Sequence, residues 1–492
     1  MDFVHLLNIN KSLPTPVYLQ ITNAVINNIQ TNRFRKGLKM PGSRLLATSL
    51  KIHRKTLQRA FNELYAQGWL EIIPRKGTFV ANNLPGLRPI KAGSTELTGS
   101  YPEKINFPML RSNWSAFPPS DLQQTRSLVI QDGFPDIRMA PMKHFMRELR
   151  SIERSGEYKK YYQYGNPQGS NYLRESLAIF LRDTRGLPIS SANILITNGA
   201  QMGIYIAAHS LLQKGDHVIV GDPGYVTATL TFQSTGAIIH RVPVDDHGIN
   251  TDAIESLCKK KKIKLIYVIP HHHHPTTVTL SLERRIHLLN LSARYKFAIV
   301  EDDYDYDFHY DSSPILPIAS LDQHGNVIYV GTLSKTLIPA IRIGFVVAPQ
   351  NFIREATAFR RAIDFQGNTL LEIAVAELYK TGVIASHIKK MVKIYRQRRD
   401  LFCELLTSGL GEQVSFRKPE GGMSVWTKFH GVDLKAVALQ AAKRDLIMSD
   451  GSIYNFRTNH NASRIGFAAL NEKEMTRTVS ILKEAVQKMK RG

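Results

Sequence analysis

Cysteine is nearly missing from this chain. Cys258 and Cys403 are the only two in 492 residues. They stand far apart, which excludes a disulfide framework and any cysteine-based metal spacing, and fits a reducing cytoplasm. Long apolar runs are missing as well. None reaches the roughly 18 residues of a membrane helix. Residues 1–10 lack a basic start followed by an apolar block, so no secretory leader is expected. Acid is scarce: 41 Asp and Glu face 64 Lys and Arg, for a net charge of +23. Such a balance favours polyanionic partners, nucleic acid first. The bias is uneven, since residues 1–81 hold twelve Lys and Arg against three Asp and Glu. The 43% hydrophobic content is that of an ordinary globular chain. The length predicts more than one domain.

Residues 14–81 read as one compact unit. Val17, Ile21, Val25 and Ile29 recur every four residues, the stripe of a helix. Pro41-Gly42 breaks the chain, and Ser43 is placed to cap a short helix running to Leu50. Leu57, Ala60, Phe61 and Leu64 mark a third helix, ended by Gly68. Trp69–Ile73 and Thr78–Ala81 are strand-like, joined by a tight Pro74–Gly77 turn. Three helices and a two-stranded wing make a winged helix-turn-helix. Its third helix offers Arg54, Lys55, Thr56, Gln58 and Arg59 off the apolar face, residue types that suit base edges and phosphates. Arg44 opens the preceding helix, and Arg75 and Lys76 sit at the wing tip. Spacing alone leaves open either a DNA reader or a solvated basic face.

Residues 82–115 show no periodicity and read as a linker. Residues 116–492 alternate helical stretches with short apolar strands, at 194–197, 217–220, 265–269, 297–300 and 327–330. The alternation predicts a multi-domain α/β protein with a mostly parallel sheet covered by helices. Strand ends in this part carry the chemistry. Thr332-Leu333-Ser334-Lys335 follows one strand, with Arg342 seven residues on. A lysine among hydroxyls and an arginine suits a Schiff base with a phosphate-bearing aldehyde, though a surface lysine after a strand reads equally well from this motif alone. Asp302 follows another strand, two residues before Tyr304, as a carboxylate suited to a protonated ring nitrogen with a hydroxyl for a ring oxygen. Asn198-Gly199-Ala200-Gln201 joins a strand to a helix whose amides suit a phosphate. Tyr225, in Asp222-Pro223-Gly224-Tyr225, offers a stacking ring.

These landmarks resemble known families as a set. Met40–Ala47, Phe61–Leu70 and Gly77–Val80 are similar to segments of GntR-type winged helices. The remainder resembles the fold type I, class I aminotransferases, and the whole resembles the MocR-type regulators that fuse the two. The resemblance implies pyridoxal 5'-phosphate as cofactor, with Lys335 as its Schiff-base lysine. It implies Asp302 and Tyr304 at the ring nitrogen and oxygen, and Tyr225 stacked on the ring. Phosphate falls to Ala200, Gln201, Thr332, Ser334 and Arg342, with Tyr164 reaching from a partner subunit in a homodimer. Arg464 and His272 are implied as effector-binding, Arg464 through a carboxylate. The expected function is a cytoplasmic regulator, without membrane attachment, that binds double-stranded operator DNA. It would sense an amino compound by Schiff-base exchange. The rivals are a working aminotransferase with a DNA-binding unit attached, and a regulator that senses pyridoxal phosphate itself.

Two departures mark this chain. His53 stands where GntR-type units often place a serine at the start of the reading helix, which weakens the expected cap. Pro270–Thr277, with His271, His272, His273 and His274 in a row, stands where aminotransferases carry an Asn-Pro-x-Gly segment. Lack of that asparagine argues against efficient transamination. Thr277 replaces the glycine that MocR-type chains carry at the end of the segment. Adjacent loop histidines seldom converge on one ion, so no metal site is expected. The acidic run 301–311 is expected to be solvated apart from Asp302, as are Lys259–Lys262.

Overall fold

A computed structural model describes residues 2–85, 104–105, 107–108, 128–130, 132–156, 158–310, 315–456 and 458–491. Most of the linker read over 82–115, and the boundary at 116, lie outside the described residues. The chain divides into two compact units, Met1–Arg111 and Ser112–Gly492.

Among its described residues the first unit has four helices, one more than the periodicity predicted: Phe3–Leu7, Val17–Gln30, Ser43–Ser49 and Arg54–Ala66. The extra helix is capped by the Asp2 carboxylate. Strands β1 (Leu70–Ile73) and β2 (Gly77–Val80) pair antiparallel, with Leu70 opposite Val80. Ile21, Val25, Leu57, Ala60 and Leu64 are fully buried in its core. Truncating Leu57 to alanine there costs about 2–5 kcal/mol. Ser43 does not cap its helix. Gly42 takes the cap position, with no side-chain bond. His53 does cap: its Nδ1 accepts from Lys55 N at 3.2 Å, so an imidazole supplies what serine supplies elsewhere.

The second unit is built on an eight-stranded sheet. Its strands are β4 (Ile194–Thr197), β5 (His217–Asp222), β6 (Ile238–Asp245), β7 (Gly248–Ile249), β8 (Ile263–Val268), β9 (Ala298–Asp302), β10 (Val327–Thr332) and β11 (Gly344–Val347), in the spatial order β4-β11-β10-β9-β8-β5-β6-β7. Pairs β10/β9, β9/β8, β8/β5 and β5/β6 are parallel. Strand β11 runs antiparallel to both its neighbours. Strands β4, β5, β8, β9 and β10 therefore point the same way, and their carboxyl ends share one edge, where open α/β sheets bind ligands. A smaller antiparallel sheet joins β12 (Val414–Ser415), β13 (Ser424–Phe429) and β15 (Ala462–Gly466). Strand β3 (Leu128–Val129) pairs with β14 (Leu446–Ile447), which pins the chain just before Asp132. Among the described residues no helix is long and apolar enough to cross a membrane.

The acidic run that begins in β9 is not solvated at Glu301, Asp303 and Asp305, while Asp311 lies outside the described residues. Glu301, Asp303 and Asp305 are buried. Glu301 accepts from Ile318 N and Ala319 N, each at 2.8 Å. Asp303 meets Tyr329 and His271, Asp305 meets His272, and Asp307 pairs with Arg185. A charge count along the sequence cannot see these partners, which lie on other strands and loops. Lys259–Lys262 are exposed after the helix Thr251–Cys258.

Candidate functional site

The shared carboxyl edge opens into a cavity of about 240 Å³. Ala200, Gln201, Tyr225, Asp302, Tyr304, Thr332, Ser334, Lys335 and Arg342 all line it, as do Asp132, Phe134 and His274. Lys335 brings an amine into it. Its Nζ donates to Gly133 O at 2.8 Å and stands 3.8 Å from the Phe134 ring centroid. Burial pushes its ammonium down to about 8, against the upward pull of Asp132. Near neutral pH a useful fraction is therefore a free amine.

Asp302 closes β9. Tyr267 Oη donates to its Oδ2 at 2.6 Å, while its buried Oδ1 has no hydrogen-bond partner among the described residues. Burial, helped by Asp303 and Asp305, pushes this carboxyl up to about 7. A cationic ring N–H is the partner such an oxygen lacks. Gly199 brings the helix Ala200–Leu211 to the cavity, and no side chain caps that helix. Its φ is +84°, and a Cβ there would meet Arg342 Nη2 at 2.5 Å, so only glycine fits. Arg342 donates to Asn198 O at 2.8 Å, which holds the guanidinium beside that helix start. Thr332 and Ser334 hydroxyls lie 3.1 Å apart at the same rim. Uncapped amides, an arginine and two hydroxyls form a phosphate cradle. The orphan carboxylate oxygen, the cradle and the lysine thus suit a phosphate-bearing pyridine aldehyde.

Three predicted residues lie elsewhere. Tyr164 is 82% exposed and touches Phe365, outside this cavity. His272 is buried behind the wall, its Nδ1 2.9 Å from Asp305 Oδ1. Arg464 is also behind the wall and does not line the cavity. Its Nε lies 2.7 Å from Asp132 Oδ1, and its Nη2 donates to Tyr304 Oη at 2.9 Å. Tyr304 Oη in turn donates to His272 O at 2.9 Å. The histidine run diverges: His271 turns to Asp303, His272 to Asp305, His273 to Thr276 and His274 to Asp132. Thr277 holds φ +63°, the left-handed backbone that glycine adopts freely, so the replacement keeps the turn at a conformational cost. Asp132, Tyr267 and Tyr454 were not flagged from the sequence, and His274 was read only as one of the histidine run. No local motif announces them, because each reaches the site from a different stretch of chain.

In the first unit Arg54, Lys55, Gln58 and Arg59 are exposed on the face opposite buried Leu57, Ala60 and Leu64, and Thr56 is half-buried. Arg59 lies 4.0 Å over the Tyr18 ring and donates to its hydroxyl at 3.3 Å, which fixes its direction. Arg44 is exposed, and so are Arg75 and Lys76 in the turn between β1 and β2.

Fold and site together define a helix-turn-helix regulator carrying an aminotransferase-like unit. Comparison with known proteins agrees. Residues 136–482 match the model of aminotransferase class I and II, and residues 17–80 match that of the bacterial regulatory proteins of the gntR family. The chain is 27% identical to the probable rhizopine catabolism regulatory protein MocR of Rhizobium meliloti, over 98% of this chain and 96% of that one. It is 32% identical to aromatic-amino-acid aminotransferase 1 of Thermococcus litoralis, over 66% of this chain and 80% of that one. The solved kynurenine aminotransferase of Pyrococcus horikoshii superposes with a TM-score of 0.71 at 28% identity, covering 77% of this chain and 97% of that one. The chain belongs to the aminotransferase class I and II family, joined to a gntR-family unit in the manner of the MocR-type transcription regulators.

Proposed function

We propose that this protein is a pyridoxal-phosphate-dependent regulator that binds operator DNA in the cytoplasm and responds to an amino compound. The observation that carries the reading is the unpartnered Asp302 Oδ1 in the same cavity as a lysine with a depressed pKa. Asp302 would hold the ring nitrogen, Tyr225 the ring face, and the Gly199–Gln201 turn with Thr332, Ser334 and Arg342 the phosphate. Tyr164 of the partner subunit would complete that cradle in a homodimer, which accounts for its exposure here. The cofactor would supply an aldehyde carbon able to form a C=N bond with an amine, and Lys335 would hold that carbon until an incoming amine takes its place and leaves the lysine free in the cavity. The resulting difference between two states is what a ligand needs in order to bias DNA binding. Arg464 and His272 act from behind the wall, by holding Tyr304 and its neighbours. Domain boundaries follow as 14–81 for the DNA reader, 82–115 for the linker and 116–492 for the sensor.

The test is direct. Protein supplied with the cofactor should turn yellow, and borohydride should fix the cofactor to Lys335. An amine that shifts the visible band should change operator affinity in wild type and not in Lys335→Ala. A protein that stays colourless overturns the reading. A second reading, a working aminotransferase, is favoured by the likeness to the Thermococcus litoralis enzyme. Steady turnover of an amino donor with a keto acid would establish it.

A further inference from the structure

The wall of the cavity that a ligand's carboxylate would approach already presents a carboxylate. Asp132 lines the cavity and Arg464 does not. Both oxygens of Asp132 stand against polar groups, Oδ1 in an ion pair without a hydrogen bond and Oδ2 in hydrogen bonds. Oδ1 lies 2.7 Å from Arg464 Nε. Oδ2 lies 2.6 Å from His274 Nε2 and accepts from Tyr454 Oη at 3.0 Å. A carboxylate only accepts, so His274 Nε2 carries the proton in this contact. Burial would raise the Asp132 carboxyl, but His274, Arg464 and Lys335 together hold it well below the usual carboxylate range. The guanidinium has further partners: Nε donates to Ser424 Oγ at 3.1 Å, Nη1 to His273 O at 3.5 Å and Nη2 to Tyr304 Oη at 2.9 Å.

The aspartate is held in place by its neighbours. Gly133 follows it at φ +73°, and a Cβ there would meet Ser424 Oγ at 2.3 Å. Its carbonyl is the acceptor for Lys335 Nζ. The pairing of β3 with β14 anchors the chain a few residues earlier. Arg464 and Asp132 balance in charge, and burial holds His274 below the usual imidazole range. A second carboxylate brought here would meet the charge of Asp132, with Arg464 already paired to that charge. A ligand without one leaves the pairing intact, and the half-exposed Asp132 side chain keeps acceptor capacity for a hydroxyl or amine.

We propose that Asp132 is the specificity-determining residue of this cavity: it occupies Arg464 in place of a ligand's carboxylate. The site therefore selects primary amines that carry no carboxylate on the reacting carbon. This deepens the cofactor reading and rests on it.

The experiment titrates cofactor-loaded, full-length protein with two matched pairs, 2-phenylethylamine against phenylalanine and ethanolamine against serine. The members of each pair differ by one carboxylate. The readout is the half-saturating concentration for the shift of the visible band. In wild type each amine should act at a concentration at least tenfold lower than its amino acid. Asp132→Ala and Asp132→Asn should both move that ratio toward the amino acid by tenfold or more. Asp132→Asn keeps the side-chain volume and decides the matter if the alanine variant does not fold. A loaded wild type that prefers the amino acids overturns the proposal and leaves the cofactor reading standing. So does a ratio that neither variant moves. A wild type that gains no visible band from added pyridoxal phosphate overturns both.

Discussion

Tyr267 and Asp302 share a hydrogen bond of 2.6 Å between two buried side chains on adjacent parallel strands, β8 and β9. It leaves one carboxylate oxygen for the cavity and works against the burial that raises this carboxyl, the balance standing at about 7. Tyr267→Phe removes the donor. The Asp302 carboxyl should then titrate higher, and at neutral pH a larger share should be protonated and unable to face a cationic ring nitrogen. Cofactor affinity should fall about tenfold at pH 7, the worth of roughly 1.4 kcal/mol. The deficit should shrink as pH rises beyond the shifted pKa. Fluorescence titration of the cofactor at pH 7 and 9 checks this. A deficit that does not change with pH would assign the tyrosine to packing alone.

Covalent loading should report the state of Lys335. Burial holds the amine near 8 rather than in the ordinary lysine range. The neutral amine is the attacking form, so the rate of visible-band formation should rise through pH 8 and level off above it. A rate still climbing at pH 10 would show that the amine is not depressed. Lys335→Ala should bind the cofactor without a borohydride-stable adduct.

DNA recognition should divide between helix and wing. Arg54→Ala and Gln58→Ala each remove an exposed side chain from the helix Arg54–Ala66. Each should cost about 1–3 kcal/mol and relax preference at one base position. Arg75→Ala at the turn should weaken all sequences alike and reduce the salt slope by about 0.9. Tyr18→Phe removes the hydroxyl that directs Arg59 and should act in the same direction as Arg59→Ala, but less strongly. Operator titrations at several salt concentrations separate these effects.

Asp136 is a stability test away from the cavity. It is buried against Arg138 at 2.7 Å and Arg398 at 2.9 Å. Burial works against its charge, but the two arginines hold its carboxyl below the ordinary range. A depressed folded-state pKa adds stability above the unfolded value and loses it as pH falls. Asp136→Ala should cost about 1.5–3 kcal/mol near pH 7 and less in acid. Urea melts at pH 7 and pH 4 should show the gap between variant and wild type narrowing.

Much of the site was legible because its residues follow strands in the sequence. Asp302, Tyr225, Thr332 and Lys335 each lie at or just beyond a strand's carboxyl end, and parallel pairing brings such ends to one edge. Short motifs therefore carried them. The reading face of the third helix was legible for a similar reason, since helical periodicity alone separates Leu57, Ala60 and Leu64 from Arg54 and Gln58. The acidic run was misjudged because solvation depends on partners. His271, Tyr329 and Arg185 come from three distant segments to neutralise or bind Asp303 and Asp307.

By itself the sequence determined the two-part organisation, the α/β class, the lysine and its carboxylate, and the basic helix. Those features rest on local periodicity and on motifs within one strand and its turn. Tertiary structure alone decided what Arg464 faces. Its guanidinium reaches the cavity wall on β15, and Asp132 arrives 332 positions earlier in the chain, behind a two-residue strand paired to β14. No spacing rule links positions so far apart. Their meeting follows from long-range strand pairing and from the electrostatic need of a buried guanidinium and a partly buried carboxylate to neutralise each other.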